Sequence, residues 1–193
     1  FLSISKSIKS FIPVIIATAA VRSAQNKSDF TNLINNRFGI KVKILSEEEE
    51  GRLAALGTIY SHKNVKGLVG DLGGGSIELT EVNSLKKINF LDSLPLGFSH
   101  LKTQGGFNSK KIFYYIQKNL NRIKKKKIEN FYAVGGSFRV IAKLYMFLNN
   151  ENLKIIQDFV VCGDKVIKTL NDSLFKKGVI QSEILFKVTK SRR

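Results

Sequence analysis

Residues 67–80 read Gly-Leu-Val-Gly-Asp-Leu-Gly-Gly-Gly-Ser-Ile-Glu-Leu-Thr, and this stretch is the most informative part of the chain. An apolar run ends in Asp71, turns through Gly73–Gly75, and resumes as an alternating segment at Ile77. Because strand patterns stand on both sides of the glycines, the stretch predicts a β-hairpin. A Walker loop or a dinucleotide-binding loop would need a helix to open here instead.

The glycine turn also predicts an anion site. Residues without Cβ let backbone N–H groups converge on one point, and such a concavity binds phosphate. We expect the phosphate-binding residues to be Gly73, Gly74, Gly75 and Ser76. The carboxylates of Asp71 and Glu78 are hard oxygen ligands suited to a hydrated Mg²⁺ beside that phosphate. The simpler alternative is a tight hairpin with two solvated acids, which the adjoining Asp and Ser disfavour.

Predicted strands and helices alternate outward from the hairpin. Strand patterns occupy 14–18, 40–44, 88–94 and 131–134, and amphipathic helices are expected at 28–38, 46–60, 112–123, 137–148 and 164–176. The strand at 14–18 is expected to be buried. The helix at 28–38 is expected to begin at Ser28 or Asp29, to bury Phe30, Leu33, Ile34 and Phe38, and to end at Gly39. This interleaving predicts an α/β fold.

Composition and charge bound the class of protein. The chain has 193 residues, 43% of them hydrophobic, which is enough for a real core in one or two domains. Its net charge of +17 comes from 32 basic and 15 acidic residues, and such a charge attracts polyanions. Compositional bias explains the charge equally well, because lysines are spread throughout the chain.

The sequence also carries expectations about location. The apolar run 11–21 is too short to span a bilayer and contains Pro13, so we expect no membrane span. No signal peptide is recognisable, and the cytoplasm is the default location. The single cysteine, Cys162, follows an apolar run and is expected to be a buried, unreactive thiol.

Three further segments are candidates for the site. Four glutamates follow Ser46, where Glu49 either completes a capping box or orients a water for attack on phosphorus. The turn of Gly135, Gly136 and Ser137 is either a second anion site at a helix N-terminus or an ordinary strand-to-helix turn. Arg22 is either a bidentate phosphate clamp or a surface arginine.

Four segments taken together resemble the exopolyphosphatase/guanosine pentaphosphatase family of the actin, heat-shock-protein and sugar-kinase superfamily. They are residues 17–26, 44–53, 71–79 and 132–139. The resemblance implies an actin-like ATPase (ribonuclease H-like) α/β fold. Residues 1–55 would then be the remainder of a first actin-like domain, and 56–193 most of a second.

The resemblance also implies a phosphohydrolase. Its substrate would be the terminal phosphoryl group of inorganic polyphosphate or the 5′ γ-phosphate of guanosine pentaphosphate, and it would need Mg²⁺. The family's catalytic glutamate aligns with Glu49. Because Glu47 and Gly51 depart from the family motif, this alignment is good to about one position, and Glu48 and Glu50 stay open as the catalytic base. Asp71 and Glu78 take the Mg²⁺-associated positions, and Arg22 takes that of a phosphate-contacting arginine.

One family motif has no match in this chain, namely the first phosphate loop, an Asp-x-Gly-Ser-Asn hairpin. We therefore interpret the chain as a fragment and expect it to be weakly active or inactive. Two other functions stay open, a nucleotide-binding kinase or ATPase of the same superfamily and a non-catalytic polyanion-binding protein. We expect no nucleic-acid partner, and a homodimer is allowed for.

Overall fold

The computed structural model describes residues 4, 7, 13–105, 108–123, 128–152 and 155–172. The chain divides into two compact units, Phe1–Ala133 and Val134–Arg193. The domain boundary expected near residue 55 falls inside the first unit, and that division into actin-like domains stays a prediction.

The first unit begins with a small parallel sheet. Its strands are β1 (Ile15–Ala17) and β2 (Val42–Ile44), and between them lie α1 (Ala19–Arg22) and α2 (Lys27–Phe38). The N-cap of α2 is Asn26, two residues before Ser28 and three before Asp29, and the helix ends at Gly39, whose φ of 67° favours glycine.

Burial around this small sheet differs from expectation. The strand at 14–18 forms, but Val14 and Ile16 are exposed, and so are Phe30, Leu33 and Phe38 on α2. The predictions that these side chains are buried are wrong for the described residues. The reason is that a sheet of two short strands offers too little surface to cover a strand face and a helix face.

The larger sheet contains the hairpin. Helix α3 (Glu47–Ser61) leads into a four-stranded sheet of order β5-β4-β3-β6. Its strands are β3 (Gly67–Leu72), β4 (Ile77–Val82), β5 (Ile88–Leu94) and β6 (Phe131–Val134). Strand β4 pairs antiparallel with both β3 and β5, which confirms the predicted hairpin.

Helices cover both faces of this sheet. On one face α3 packs so closely that a Cβ added at Gly51 would lie 2.7 Å from the hydroxyl of Thr80. On the other face Leu68, Leu79 and Leu94 form a core with side chains of α4 (Phe98–Gly105) and α5 (Ser109–Leu120). Because the sheet is held from both sides, the loop between β3 and β4 is fixed at its end.

The second unit is mainly helical. Strand β6 is followed by α6 (Gly136–Leu148), and α7 (Gly163–Asn171) comes later in the chain. Cys162 is exposed, so the prediction of a buried thiol is wrong. The predicted helix at 164–176 forms as far as Asn171, and residues 173–176 lie outside the described residues.

Candidate active site

The loop of residues 73–76, called the glycine loop below, joins β3 to β4. Its ends are held by a hydrogen bond from the Gly73 N–H to the Ser76 carbonyl at 2.9 Å. None of its three glycines has a φ in the left-handed region. A Cβ at Gly73 or Gly74 would make only ordinary contacts, the nearest atoms being 3.6 and 3.7 Å away. The protein therefore leaves space over the glycine loop that side chains would fill.

Two predicted carboxylates lie beside the glycine loop. Asp71 and Glu78 face each other directly across β3 and β4. Glu78 is only 1% exposed, and its Oε1 accepts hydrogen bonds from Ser76 Oγ at 2.5 Å and from Ser93 Oγ at 3.0 Å. Burial raises the pKa of Glu78, and the charges of Glu50 and Asp71 raise it further, while the two serine hydroxyls act against this shift. A positive charge at this point would be stabilised by several carboxylates.

Arg22 and Glu50 connect α1 and α3 beside the same loop. The Arg22 guanidinium donates from Nη1 to Glu50 Oε2 at 3.0 Å and to the Leu45 carbonyl at 2.8 Å. Both side chains are largely buried, at 18% and 16% exposure. A Cβ on Gly75 would lie 3.2 Å from the Cβ of Ala19, so the start of α1 also borders the glycine loop.

Glu49 has different surroundings from Glu50. It forms a complete capping box with Ser46, accepting from the Ser46 N–H at 2.9 Å while its own N–H donates to Ser46 Oγ at 3.1 Å. Its other carboxylate oxygen pairs with Lys43 Nζ at 2.7 Å. The hydrogen bond from Lys43, followed by that from Ser46, lowers the pKa of Glu49, which makes its carboxylate a weaker base.

Comparison with known proteins identifies the family. The model of the Ppx/GppA phosphatase family matches residues 2–193. The chain belongs to this family. The family that the four sequence segments resemble is thereby confirmed.

Individual relatives agree with this assignment. Retrograde regulation protein 2 of Saccharomyces cerevisiae is 28% identical over 202 residues, which cover 92% of this chain and 34% of the yeast protein. The crystal structure of the Aquifex aeolicus Ppx/GppA family member has a TM-score of 0.72 at 26% identity, covering 99% of this chain and 63% of that one. The type II variant of the Aquifex aeolicus Ppx/GppA phosphatase has a TM-score of 0.66 at 27% identity and covers 89% and 59%.

A more distant structure shares the fold. An exopolyphosphatase from Cytophaga hutchinsonii has a TM-score of 0.64 at 19% identity, covering 78% of this chain and 52% of that one. The predicted α/β class and actin-like fold are confirmed by these structural matches. The chain spans about a third of the yeast relative and about three fifths of the Aquifex structures.

Most of the predicted site residues of this Ppx/GppA chain meet in one place within the first unit. They are Arg22, Asp71, Gly73, Gly74, Gly75, Ser76 and Glu78. Their approach depends on the β3–β4 register and on the contact of α1 with the glycine loop. Glu49 stands apart from this group in its cap, while its neighbour Glu50 belongs to it.

The predicted turn at Gly135, Gly136 and Ser137 lies in the second unit. Gly135 precedes α6 with a φ of 106°, a left-handed value that requires glycine, and the first turn of α6 contains no acidic residue. A strand-to-helix turn, which both alternatives require, is therefore present. Its role as an anion site stays a prediction.

Sequence reasoning did not find two residues beside the glycine loop. Ser93 on β5 lies directly opposite Glu78, and Gly97 follows β5 and contacts the loop from behind. For Ser93 the sequence contained a signal, because a serine within a predicted neighbouring strand can reach a buried acid. Only the β4–β5 register identifies that serine.

Within the described residues no group of three or more His, Cys, Asp or Glu could hold a metal ion. Across the same part of the chain, no helix has the length and apolar character needed to cross a bilayer.

Proposed function

We propose that this chain is part of a phosphohydrolase that releases the terminal phosphate of inorganic polyphosphate or the 5′ γ-phosphate of guanosine pentaphosphate. The observation that carries the proposal is the open glycine loop. Its glycines are needed neither for a left-handed φ nor, at Gly73 and Gly74, for close packing inside the protein. Close approach of a ligand to the backbone is the remaining reason for them.

We assign the general base to Glu50. Glu49 was the predicted residue, within about one position, but its carboxylate is held by Lys43 and Ser46. Glu50 is the glutamate whose charge acts on Glu78 at the edge of the glycine loop. Arg22 holds its carboxylate, which fixes its direction. From that position Glu50 would accept the proton of the water that attacks phosphorus.

Asp71 and Glu78 suit the Mg²⁺ that the family resemblance implies. Both are hard oxygen donors. Burial raises the pKa of Glu78, the charges of Glu50 and Asp71 add to this shift, and a bound cation would favour the charged carboxylate again. Two carboxylates with phosphate oxygens and waters are a usual Mg²⁺ environment, so a third protein ligand is not needed. The ion would neutralise charge on the phosphate that the glycine loop holds.

The direct test is phosphate release from each substrate by the full-length protein. Hydrolysis of polyphosphate, of guanosine pentaphosphate or of both supports the proposal and identifies the preferred substrate. ATP with a sugar acceptor is the control, because a kinase of the superfamily would transfer phosphate instead of releasing it. Transfer without release would contradict the proposal.

Gly74→Ala tests the phosphate site in the same assay. The new Cβ has room in the free protein, so we expect the free energy of unfolding to stay unchanged or to rise by up to about 1 kcal/mol. The new methyl group would lie beside the loop backbone, 3.7 Å from Ser99 Oγ, and would hinder the approach of a phosphate, so KM should rise about tenfold or more, the loss of roughly one hydrogen bond. An unchanged KM would contradict phosphate binding at this loop.

Asp71→Asn tests the metal. The amide keeps the shape of the carboxylate but removes its charge, so Mg²⁺-dependent turnover should be abolished while the fold is retained. Turnover measured against Mg²⁺ concentration, with circular dichroism as the folding control, decides the point. Wild-type activity and an unchanged Mg²⁺ dependence would rule out the metal role of Asp71.

A second candidate function is polyanion binding without hydrolysis. The net charge of +17 favours it, and so does the regulatory name of the yeast relative. Such a protein would bind polyphosphate with a steep salt dependence and would be indifferent to loss of Glu50. Binding without any phosphate release would favour this function over the first.

A further inference from the structure

Residues 95–99 lie against the back of the glycine loop, and they comprise the connection between β5 and α4 together with the first two residues of α4. We call these residues the β5–α4 corner. The Gly97 N–H donates to the Gly75 carbonyl at 3.2 Å, and the Ser99 N–H donates to the Gly74 carbonyl at 2.8 Å. Two successive carbonyl groups of the glycine loop are therefore held on the side of the corner.

Contact at Gly97 is closer than any side chain would allow. A Cβ there would lie 2.4 Å from the carbonyl carbon and oxygen of Gly74 and 2.4 Å from the carbonyl carbon of Gly75. Gly97 is buried, and its φ lies outside the left-handed region. Its backbone conformation therefore does not require glycine. Glycine is required here by the close packing of the corner against the glycine loop.

Planarity of the peptide bond connects these contacts to the open side of the loop. In a trans peptide the carbonyl and the following N–H point in opposite directions. The Gly74 carbonyl shares its peptide plane with the Gly75 N–H, and the Gly75 carbonyl shares its plane with the Ser76 N–H. Neither N–H has an acceptor among the described residues. Holding the two carbonyls at the corner thus turns both N–H groups away from it.

We propose that the β5–α4 corner positions the phosphate-binding N–H groups of Gly75 and Ser76. Gly97 and Ser99 do not touch the substrate. They fix the orientation of the two peptide groups whose N–H groups would contact it. The inference rests on the proposed function, because the ligand of these N–H groups is the terminal phosphoryl group. It adds a positioning role for two residues outside the four family segments.

The test is Gly97→Ala in the full-length protein, with Gly57→Ala as the matched control. Gly57 is exposed on α3 and a Cβ there would meet nothing within 4 Å. We expect Gly97→Ala to raise KM about tenfold or more for whichever of polyphosphate and guanosine pentaphosphate the wild type hydrolyses, and to speed hydrogen exchange in a peptide containing residues 73–76. Gly57→Ala should change neither. Unchanged KM and exchange in Gly97→Ala would overturn the inference.

A second pair of variants decides the matter if Gly97→Ala fails to fold. Ser99→Pro removes the N–H that holds the Gly74 carbonyl, at a helical first turn where proline is tolerated. Phe98→Pro places proline one residue earlier and keeps both corner N–H groups. A rise in KM and in loop exchange for Ser99→Pro alone supports the inference. Equal behaviour of the two proline variants overturns it.

Hydrogen exchange separates this inference from the proposed function. If the wild-type protein neither binds nor hydrolyses polyphosphate or guanosine pentaphosphate, the proposed function fails, but exchange in the glycine loop still reports whether the corner holds it. If the wild type hydrolyses either substrate and the corner variants match it in KM and exchange, the proposed function stands and the positioning role is refuted.

Discussion

Adjacent residues at the start of α3 have different chemical surroundings. The carboxylate of Glu49 closes the helix cap and pairs with Lys43, whereas that of Glu50 is largely buried and ion-paired with Arg22. An α-helix turns by about 100° per residue, so neighbours on it cannot face the same way. Gly51 faces the sheet, which places Glu50 nearer to the sheet side than Glu49.

Paired substitutions at these two positions test the assignment of the base. Glu50→Gln keeps a hydrogen-bond acceptor for Arg22 but cannot take a proton, so kcat should fall by about 10²- to 10⁴-fold. KM should change little, because binding depends on backbone N–H groups. Glu49→Gln still serves in a capping box and should leave kcat nearly unchanged. The reverse result, a large fall in kcat for Glu49→Gln alone, would show that Glu49 is the general base.

At the scale of elements, the packing of α3 on the sheet depends on one small residue. Gly51 lies over Thr80 and Phe90, and an added Cβ would approach their side chains to 2.7 and 3.0 Å. Thr80 is fully buried, and its hydroxyl has no hydrogen-bond partner within the part of the chain that the structure describes. Helix α3 is therefore as close to β4 as the side chains permit, and this closeness brings Glu50 near enough to Glu78 on β4 for its charge to raise the pKa of that carboxyl, which burial raises most.

Two glycines on α3 give opposite predictions for stability. Gly51→Ala overpacks the helix–sheet contact and should destabilise the protein by about 1–3 kcal/mol. Gly57→Ala adds a Cβ in open space on an exposed helix and should stabilise it by about 0.5–1 kcal/mol. Urea unfolding measures both. Thr80→Ala should recover part of the Gly51→Ala loss, and equal stability of the two alanine variants would contradict the packing.

At the scale of the whole molecule, the sequence matches one of the two phosphate loops that the family resemblance implies. The chain matches about three fifths of the length of the Aquifex structures. The glycine loop, Arg22, Glu50 and the two carboxylates all belong to the first unit. A phosphate held by this unit alone would lack the second group of N–H donors.

The isolated chain of 193 residues should consequently hydrolyse polyphosphate poorly or not at all. The measurement is phosphate release by the chain and by the full-length protein at equal concentration, with circular dichroism to show that both are folded. Phosphate release from the chain at the full-length rate would show that the first phosphate loop is dispensable. The cleft would then need only the residues of this chain.

The sequence by itself determined the features that depend on local contacts. The β3–β4 hairpin follows from alternation on both sides of the glycines, and the Ser46–Glu49 capping box joins residues three positions apart. The order and spacing of four motifs likewise indicated the family. Such signals need no knowledge of distant contacts, because they lie within one turn or one hairpin.

Tertiary structure decided which side chains meet. The close contact of Gly51 with Thr80 fixes the rotation of α3 about its axis, so Glu50 and Glu49 point in different directions. The β4–β5 register places Ser93 opposite Glu78. The exposure of Phe30 and Leu33 also depends on how little sheet lies beside α2. Gly97 meets Gly74 only because two sheet connections converge. These outcomes could not be predicted from sequence patterns, since each depends on residues that are distant in the chain and are brought together by packing.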